Sequence, residues 1–129
     1  MESNKKSFTN WSGQYTRKPG VYVIPETIEE LQEIITNKDK YPSPVVAIGS
    51  VHSNSVCYIV RGGTAMYVKQ IHYIHEPTDH AVIVGAGMEL IEVHRFLAIR
   101  NLQLPFTPEI GNATIGSIAC CCLKDAANG

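Results

Sequence analysis

The chain has 129 residues and a formal charge of −1, with 11 Lys and Arg against 12 Asp and Glu, which is one domain's worth of near-neutral material. Its 44% hydrophobic content supports a buried core and its 18% charged content excludes a disordered tail. The charge balance excludes the basic footprint of a general nucleic-acid binder and a polybasic membrane tether, and no window approaches the roughly 18 consecutive apolar residues of a membrane span.

The N-terminal MESNKKSFTNWSGQ has no apolar stretch after its charges, so no secretory signal is expected. The first twenty residues are polar and run through Asn10-Trp11-Ser12-Gly13 to Pro19-Gly20, predicting a loop anchored by Trp11. Residues 21–24 are β-branched and aromatic and stop at Pro25, which predicts a strand. Thr27-Ile28-Glu29-Glu30 has the form of a capping box, and Ile28, Leu31, Ile34 and Ile35 recur at helical spacing. That helix should end near residues 37–40, before Tyr41-Pro42-Ser43-Pro44. Val45-Val46-Ala47-Ile48 is an unbroken apolar run of strand length, so the chain opens as a parallel βαβ unit.

After residue 55 the texture changes. Short strand-like pieces at residues 58–60, 65–68, 73–74 and 81–84 are separated by Arg61-Gly62-Gly63 and Glu76-Pro77-Thr78-Asp79. A second helix is predicted over residues 88–100, with Leu90, Ile91, Phe96, Leu97 and Ile99 on its apolar side. A short strand at 102–104, a loop at 105–112 and a small, apolar stretch at 114–122 complete the chain. The fold class expected is α+β: a parallel βαβ subdomain at 10–55, then a mixed sheet with a second helix at 56–129, within a single domain.

Two stretches carry chemistry. Gly49-Ser50-Val51-His52-Ser53-Asn54-Ser55 follows a buried parallel strand and presents backbone N–H groups with no bulky side chains over them. Such a loop accepts phosphate oxygens, and open α/β sheets bind ligands at the carboxyl ends of their strands. It is neither a Walker A loop nor a G-x-G-x-x-G fingerprint, and by itself it also reads as an ordinary strand-to-turn connection. The second stretch, from Gly111 to Cys120, is another small-residue surface, able to lie against a ligand or against a neighbouring strand.

Other residues read as structural. His72, His75 and His80 lie on a polar, turn-rich stretch with spacing that suits solvated surface rather than a metal site, and His94 reads as an exposed or half-buried helix residue. Of the four cysteines, Cys120, Cys121 and Cys122 are adjacent and Cys57 is distant, with no C-x-x-C pair. Reduced thiols in a cytoplasmic protein are expected, with the cysteine triplet packed against a core or cofactor.

Taken in order, these stretches resemble the FAD-binding domain of the vanillyl-alcohol oxidase type (PCMH-type), the family that includes aldonolactone and alditol oxidases. Asn10-Trp11-Ser12-Gly13 resembles its N-W-[SA]-G, and Pro25-Glu26-Thr27-Ile28-Glu29-Glu30-Leu31 resembles the segment leading into its first helix. Gly49-Ser50-Val51-His52-Ser53 is similar to G-x-G-H-S. Val84-Gly85-Ala86-Gly87 with the following helix is similar to V-x-A-G-x-x-l, and Thr114-Ile115-Gly116-Ser117-Ile118-Ala119 to T-I-G-G-x-I-A.

The resemblance implies that Gly49, Ser50, Val51, His52 and Ser53 wrap the pyrophosphate of FAD, with His52 where many members bond the flavin 8α-carbon. It implies further cofactor contacts at Glu109, Thr114, Ser117, Cys120 and Cys121, and no catalytic acid or base within this chain. Val51 and Ser117 each stand where the pattern has glycine, and Lys124 stands where lactone oxidases carry a second histidine. The implied function is the FAD-binding module of an oxidoreductase acting on an alcohol, sugar lactone or polyol, with O2 or another acceptor reoxidising the flavin. Its substrate would be held by a further domain or a partner chain, and the 129 residues are expected to be the N-terminal part of a flavoenzyme. Two alternatives stand beside this: a non-catalytic, degenerate flavin-binding subunit or scaffold, and an unrelated α/β domain binding another nucleotide.

Overall fold

The computed structural model describes residues 7–53, 57, 60–105 and 108–121. Asn54 and Ser55 of the expected loop, Tyr58 and Ile59 of one expected strand, and Cys122 and Lys124 lie outside the described residues. The chain forms two compact units, Met1–Ile71 and His72–Gly129. This boundary is later than the 55/56 division read from the sequence because a strand beyond residue 60 belongs to the first unit's sheet.

The first unit starts with a small hairpin rather than a loop. Strands β1 (Phe8–Thr9) and β2 (Thr16–Arg17) pair antiparallel. Its organiser is Asn10 and not Trp11: Trp11 is 67% exposed, whereas Asn10 is 3% exposed. The Asn10 side chain accepts a hydrogen bond from the Tyr15 N–H at 3.1 Å and donates to Ser12 Oγ at 2.7 Å. A short amide can satisfy both sides of a tight turn, which an indole with a single donor cannot.

Strand β3 (Val21–Val23), helix α1 (Ile28–Thr36) and strand β4 (Val45–Ile48) give the expected parallel βαβ opening. Strand β5 (Thr64–Tyr67) lies between the two strands, so the all-parallel order is β3-β5-β4. Thr64, Ala65 and Met66 are uncharged and buried, as a central strand requires. Thr64 is fully buried and its hydroxyl donates to the Pro42 carbonyl at 2.9 Å, removing the cost of an unpaired polar group.

Strand alternation divides this unit's apolar residues between two faces. Val23 and Met66 join Ile34, Tyr41, Val68 and Ile71 in the cluster that α1 covers. Tyr22, Ile48, Val60 and Ala65 form the second cluster, with Phe8, Val46 and Val51 packed against it. Helix α1 is capped by Thr27, whose hydroxyl accepts from the Glu30 N–H at 3.2 Å. The Glu30 carboxylate reaches Glu26 N at 2.7 Å, one residue before the cap, so the return arm of the predicted box is displaced by one position.

The second unit is built around helix α2 (Leu90–Ala98), which buries Leu90, Val93 and Leu97. A capping box between Glu89 and Glu92 starts it, and Asn101 in the left-handed region (φ 56°) ends it. Leu102 N then donates back to Leu97 O at 3.0 Å, closing the helix end, and residues 102–104 are not the strand expected there. The expected pieces at 73–74 and 81–84 meet through a single antiparallel bridge, Ile74 with Val84. Among the described residues this half therefore carries isolated bridges where a laddered sheet was expected. Helix α3 (Ile115–Cys120) follows. Among the described residues, no helix is long and apolar enough to cross a membrane.

Candidate functional site

In the first unit the chain leaves β4 at Ile48, a buried residue, and turns through five half-buried positions, Gly49, Ser50, Val51, His52 and Ser53. Val51, the position where the motif has glycine, has φ 61°. For a β-branched residue that conformation costs about 1–3 kcal/mol, because Cβ crowds the backbone carbonyl. Its side chain packs against the cluster of Tyr22, Ile48, Val60 and Ala65. Partial burial of an isopropyl group contributes about 1–2 kcal/mol, of the same order as the strain.

A left-handed residue in a loop turns successive N–H groups toward one side, which makes an anion-binding concavity. Among the described residues, the N–H groups of Val51 and His52 donate to no protein acceptor. Residues 45–53 include no carboxylate, so nothing within the segment repels an anion. Ser53 Oγ lies 3.4 Å from Cys57 Sγ, a neighbour the sequence reading had not connected to the loop. Beneath the turn, burial pushes the Tyr22 phenol above its ordinary value, with the neighbouring Tyr67 adding to the shift.

In the second unit two of the motifs interlock. Gly116 N donates to Ala86 O at 2.9 Å and Ile115 N to Met88 O at 2.8 Å. A Cβ at Gly116 would lie 3.1 Å from Ala86 O and 3.2 Å from Ala86 Cβ, so any side chain there would require the neighbouring backbone to give by a few tenths of an ångström. Thr114 is 1% exposed and caps α3, its hydroxyl lying 2.9 Å from Ser117 Oγ and accepting from Ser117 N at 3.4 Å. The Thr114 hydroxyl is thus committed to the turn, and what this stretch offers a ligand is backbone and the half-buried Ser117.

Glu109, Cys120 and Cys121 are exposed, and both cysteines are free. Cys120 and Cys121 are not part of the protein's own core: α3 buries none of its six residues fully and ends at these two, which leaves a cofactor as the surface they could pack against. Of the histidines, His72 Nε2 stands 3.1 Å from both carboxylate oxygens of Glu92, and the His75 ring lies against Tyr73. His94 is half-buried, with a buried Nε2 that has no hydrogen-bond partner among the described residues. A groove of about 420 Å³ lies on the α1 side of the first unit, lined by Val23, Pro25, Glu30, Glu33, Lys40 and Tyr41, and it contains none of the predicted site residues.

Residues 19–120 match the family model described as FAD binding domain. The chain is 28% identical over 116 residues to D-arabinono-1,4-lactone oxidase of Eremothecium gossypii, covering 86% of this chain and 22% of that protein. It is likewise 28% identical over 118 residues to D-arabinono-1,4-lactone oxidase of Saccharomyces cerevisiae, with the same coverage. The chain thus spans about a fifth of the length of these relatives. Among solved structures, the cholesterol oxidase of Brevibacterium sterolicum superposes with a TM-score of 0.73 at 17% identity, over 85% of this chain and 22% of that one. A solvent-stable cholesterol oxidase gives 0.74 at 19% identity, over 87% and 22%. At these identities the structures establish the fold.

Proposed function

The chain belongs to the FAD-binding domain family, and from that premise we propose that it is the cofactor-binding portion of a flavin-dependent oxidoreductase of the lactone-oxidase type, with residues 49–53 as its pyrophosphate loop. The observation that carries this reading is the left-handed turn at Val51 at the carboxyl end of β4, with the N–H groups of Val51 and His52 donating to no acceptor among the described residues.

The residues present fit the group. Gly49, Ser50 and Ser53 are small, the segment brings no negative charge, and two consecutive backbone donors in it have no acceptor among the described residues. His52, half-buried, is the residue assigned to anchor the flavin at its 8α-carbon; a neutral imidazole is nucleophilic near neutral pH. Thr114, Ser117, Glu109 and the backbone at Cys120 and Cys121 enter the reading as a second stretch proposed to contact the cofactor. The flavin, when bound, supplies hydride acceptance from an alcohol carbon, and O2 or a second acceptor takes the electrons onward. The chain's own part is to bind and orient it.

The lactone-oxidase relatives support a sugar lactone or related alcohol as the substrate, held by a further domain or a partner chain, since the chain spans 22% of their length. We place the protein in a reducing, cytoplasmic setting, where exposed thiols such as those of Cys120 and Cys121 stay reduced. Purified chain mixed with FAD should acquire flavin absorbance that gel filtration does not remove, and colour surviving acid precipitation should be lost in His52→Ala. A chain that takes up no FAD would overturn the reading. A second reading, a flavin-binding subunit without catalysis, is favoured by the departures at Val51, Ser117 and Lys124; bound FAD that passes electrons to no acceptor in the reconstituted enzyme would select it.

A further inference from the structure

We propose that Val51 is a positioning residue for cofactor binding: its side chain, seated in the apolar cluster under the sheet, holds the pyrophosphate loop in its ligand-ready turn. The proposal rests on the reading that residues 49–53 hold the FAD pyrophosphate.

Glycine and valine reach φ 61° for different reasons. Glycine enters the left-handed region freely and leaves it as freely, so it permits the turn without enforcing it. Valine is disfavoured there by its own Cβ, so a valine found in that conformation is held by something else. Here the holding contact is its packing against Tyr22, Ile48, Val60 and Ala65. Three of these come from the three strands of the sheet: Tyr22 from β3, Ile48 from β4 and Ala65 from β5. The turn and the seated side chain therefore form together, and the conformation of a surface loop is tied to a buried apolar cluster of the sheet.

The side chain points into protein, so Val51 reaches the ligand through the backbone, by fixing where its own N–H and that of His52 lie. Holding the loop in its binding conformation before ligand arrives removes an ordering cost from the binding step. If the side chain is cut back, the competent fraction of the loop falls and the apparent affinity falls with it.

The test uses the full 129-residue chain. Dissociation constants for FAD and for ADP, which shares the pyrophosphate but lacks the flavin, are measured for the parent, Val51→Ala, Val51→Gly and Val51→Ile. Val51→Ala keeps the strained Cβ and loses the packing, and should weaken both ligands about tenfold, the effect of a competent fraction cut to about a tenth. Val51→Gly relieves the strain, so it folds even where Val51→Ala does not, and should weaken both about three- to fivefold. Val51→Ile keeps the anchor and should bind within about twofold of the parent.

A purely structural role lowers the melting temperature but leaves both dissociation constants unchanged when they are measured well below it. Unchanged dissociation constants in Val51→Gly, whatever its melting temperature, overturn the proposal and leave the FAD reading standing. If the parent takes up no FAD, the reading of residues 49–53 fails and the proposal falls with it.

Discussion

The turn at residues 49–53 and the turn at residues 113–117 expose similar small-residue backbone, but opposite means secure them. In the first, a side chain stands where the motif has glycine, and its packing into the sheet's apolar cluster stabilises a left-handed φ. In the second, the absence of a side chain at Gly116 lets the backbone lie against Ala86, with hydrogen bonds closing the gap. Bare backbone thus persists either by anchoring a neighbour in the core or by leaving little room for a side chain. The first arrangement should tolerate changes of side-chain size far better than the second.

Gly116→Val gives the largest expected effect. Its Cβ would sit 3.1 Å from Ala86 O, with two further methyl groups to place, and overpacking of this kind costs about 3 kcal/mol. The cost should appear as a lower urea midpoint, whereas Val51→Gly should change stability by less than about 1 kcal/mol, since relieved strain and lost packing oppose each other. Equal effects from the two substitutions would erase the distinction between the turns. Thr114→Val is next: a buried cap loses its oxygen, leaving Ser117 N and Ser117 Oγ without it, at a cost of about 1–2 kcal/mol. Thr114→Ser should recover most of that loss, because it restores the oxygen.

Much of the first unit was legible from sequence because its signals are local. The β-branched run stopped by Pro25, the capped stripe of α1 and the apolar run at 45–48 each declare an element within ten residues. The position of β5 between β3 and β4 was not legible, since strand order depends on pairings that the sequence carries only as a general suitability for burial. The motif order located both turns, but it did not say that Val51 is left-handed or that Thr114 spends its hydroxyl on a cap; both follow from where neighbouring chain returns. The N-terminal hairpin gave the clearest error, with the large aromatic credited as anchor over the small amide. Asn10→Ala should therefore cost about 1–2 kcal/mol through its lost turn hydrogen bonds, and Trp11→Ala less than about 0.5 kcal/mol. Thermal melts of the two variants would show the opposite order if the indole were the anchor.

The smallest expected effect tests whether charge helps to hold the second unit's turn-rich stretch. Arg100 donates to both carboxylate oxygens of Glu76, at 2.6 and 3.0 Å, while its guanidinium lies 3.6 Å from the centre of the Phe96 ring. The hydrogen bond from Arg100 is the largest influence on the Glu76 carboxyl and holds it below its ordinary 4.5; desolvation opposes the shift and the opposite charge adds to it. A carboxyl depressed in the folded state contributes stability above its unfolded value, and that contribution is lost as pH falls through the folded one. The pair is open to solvent, so the effect should be small and should shrink with added salt. Parent and Glu76→Gln should therefore differ slightly in urea midpoint at neutral pH and converge as pH falls below the depressed folded value of the Glu76 carboxyl. In Glu76→Gln the packing of Arg100 on Phe96 is unchanged. A difference that persisted undiminished at acid pH would thus assign Glu76's contribution to contacts independent of its charge.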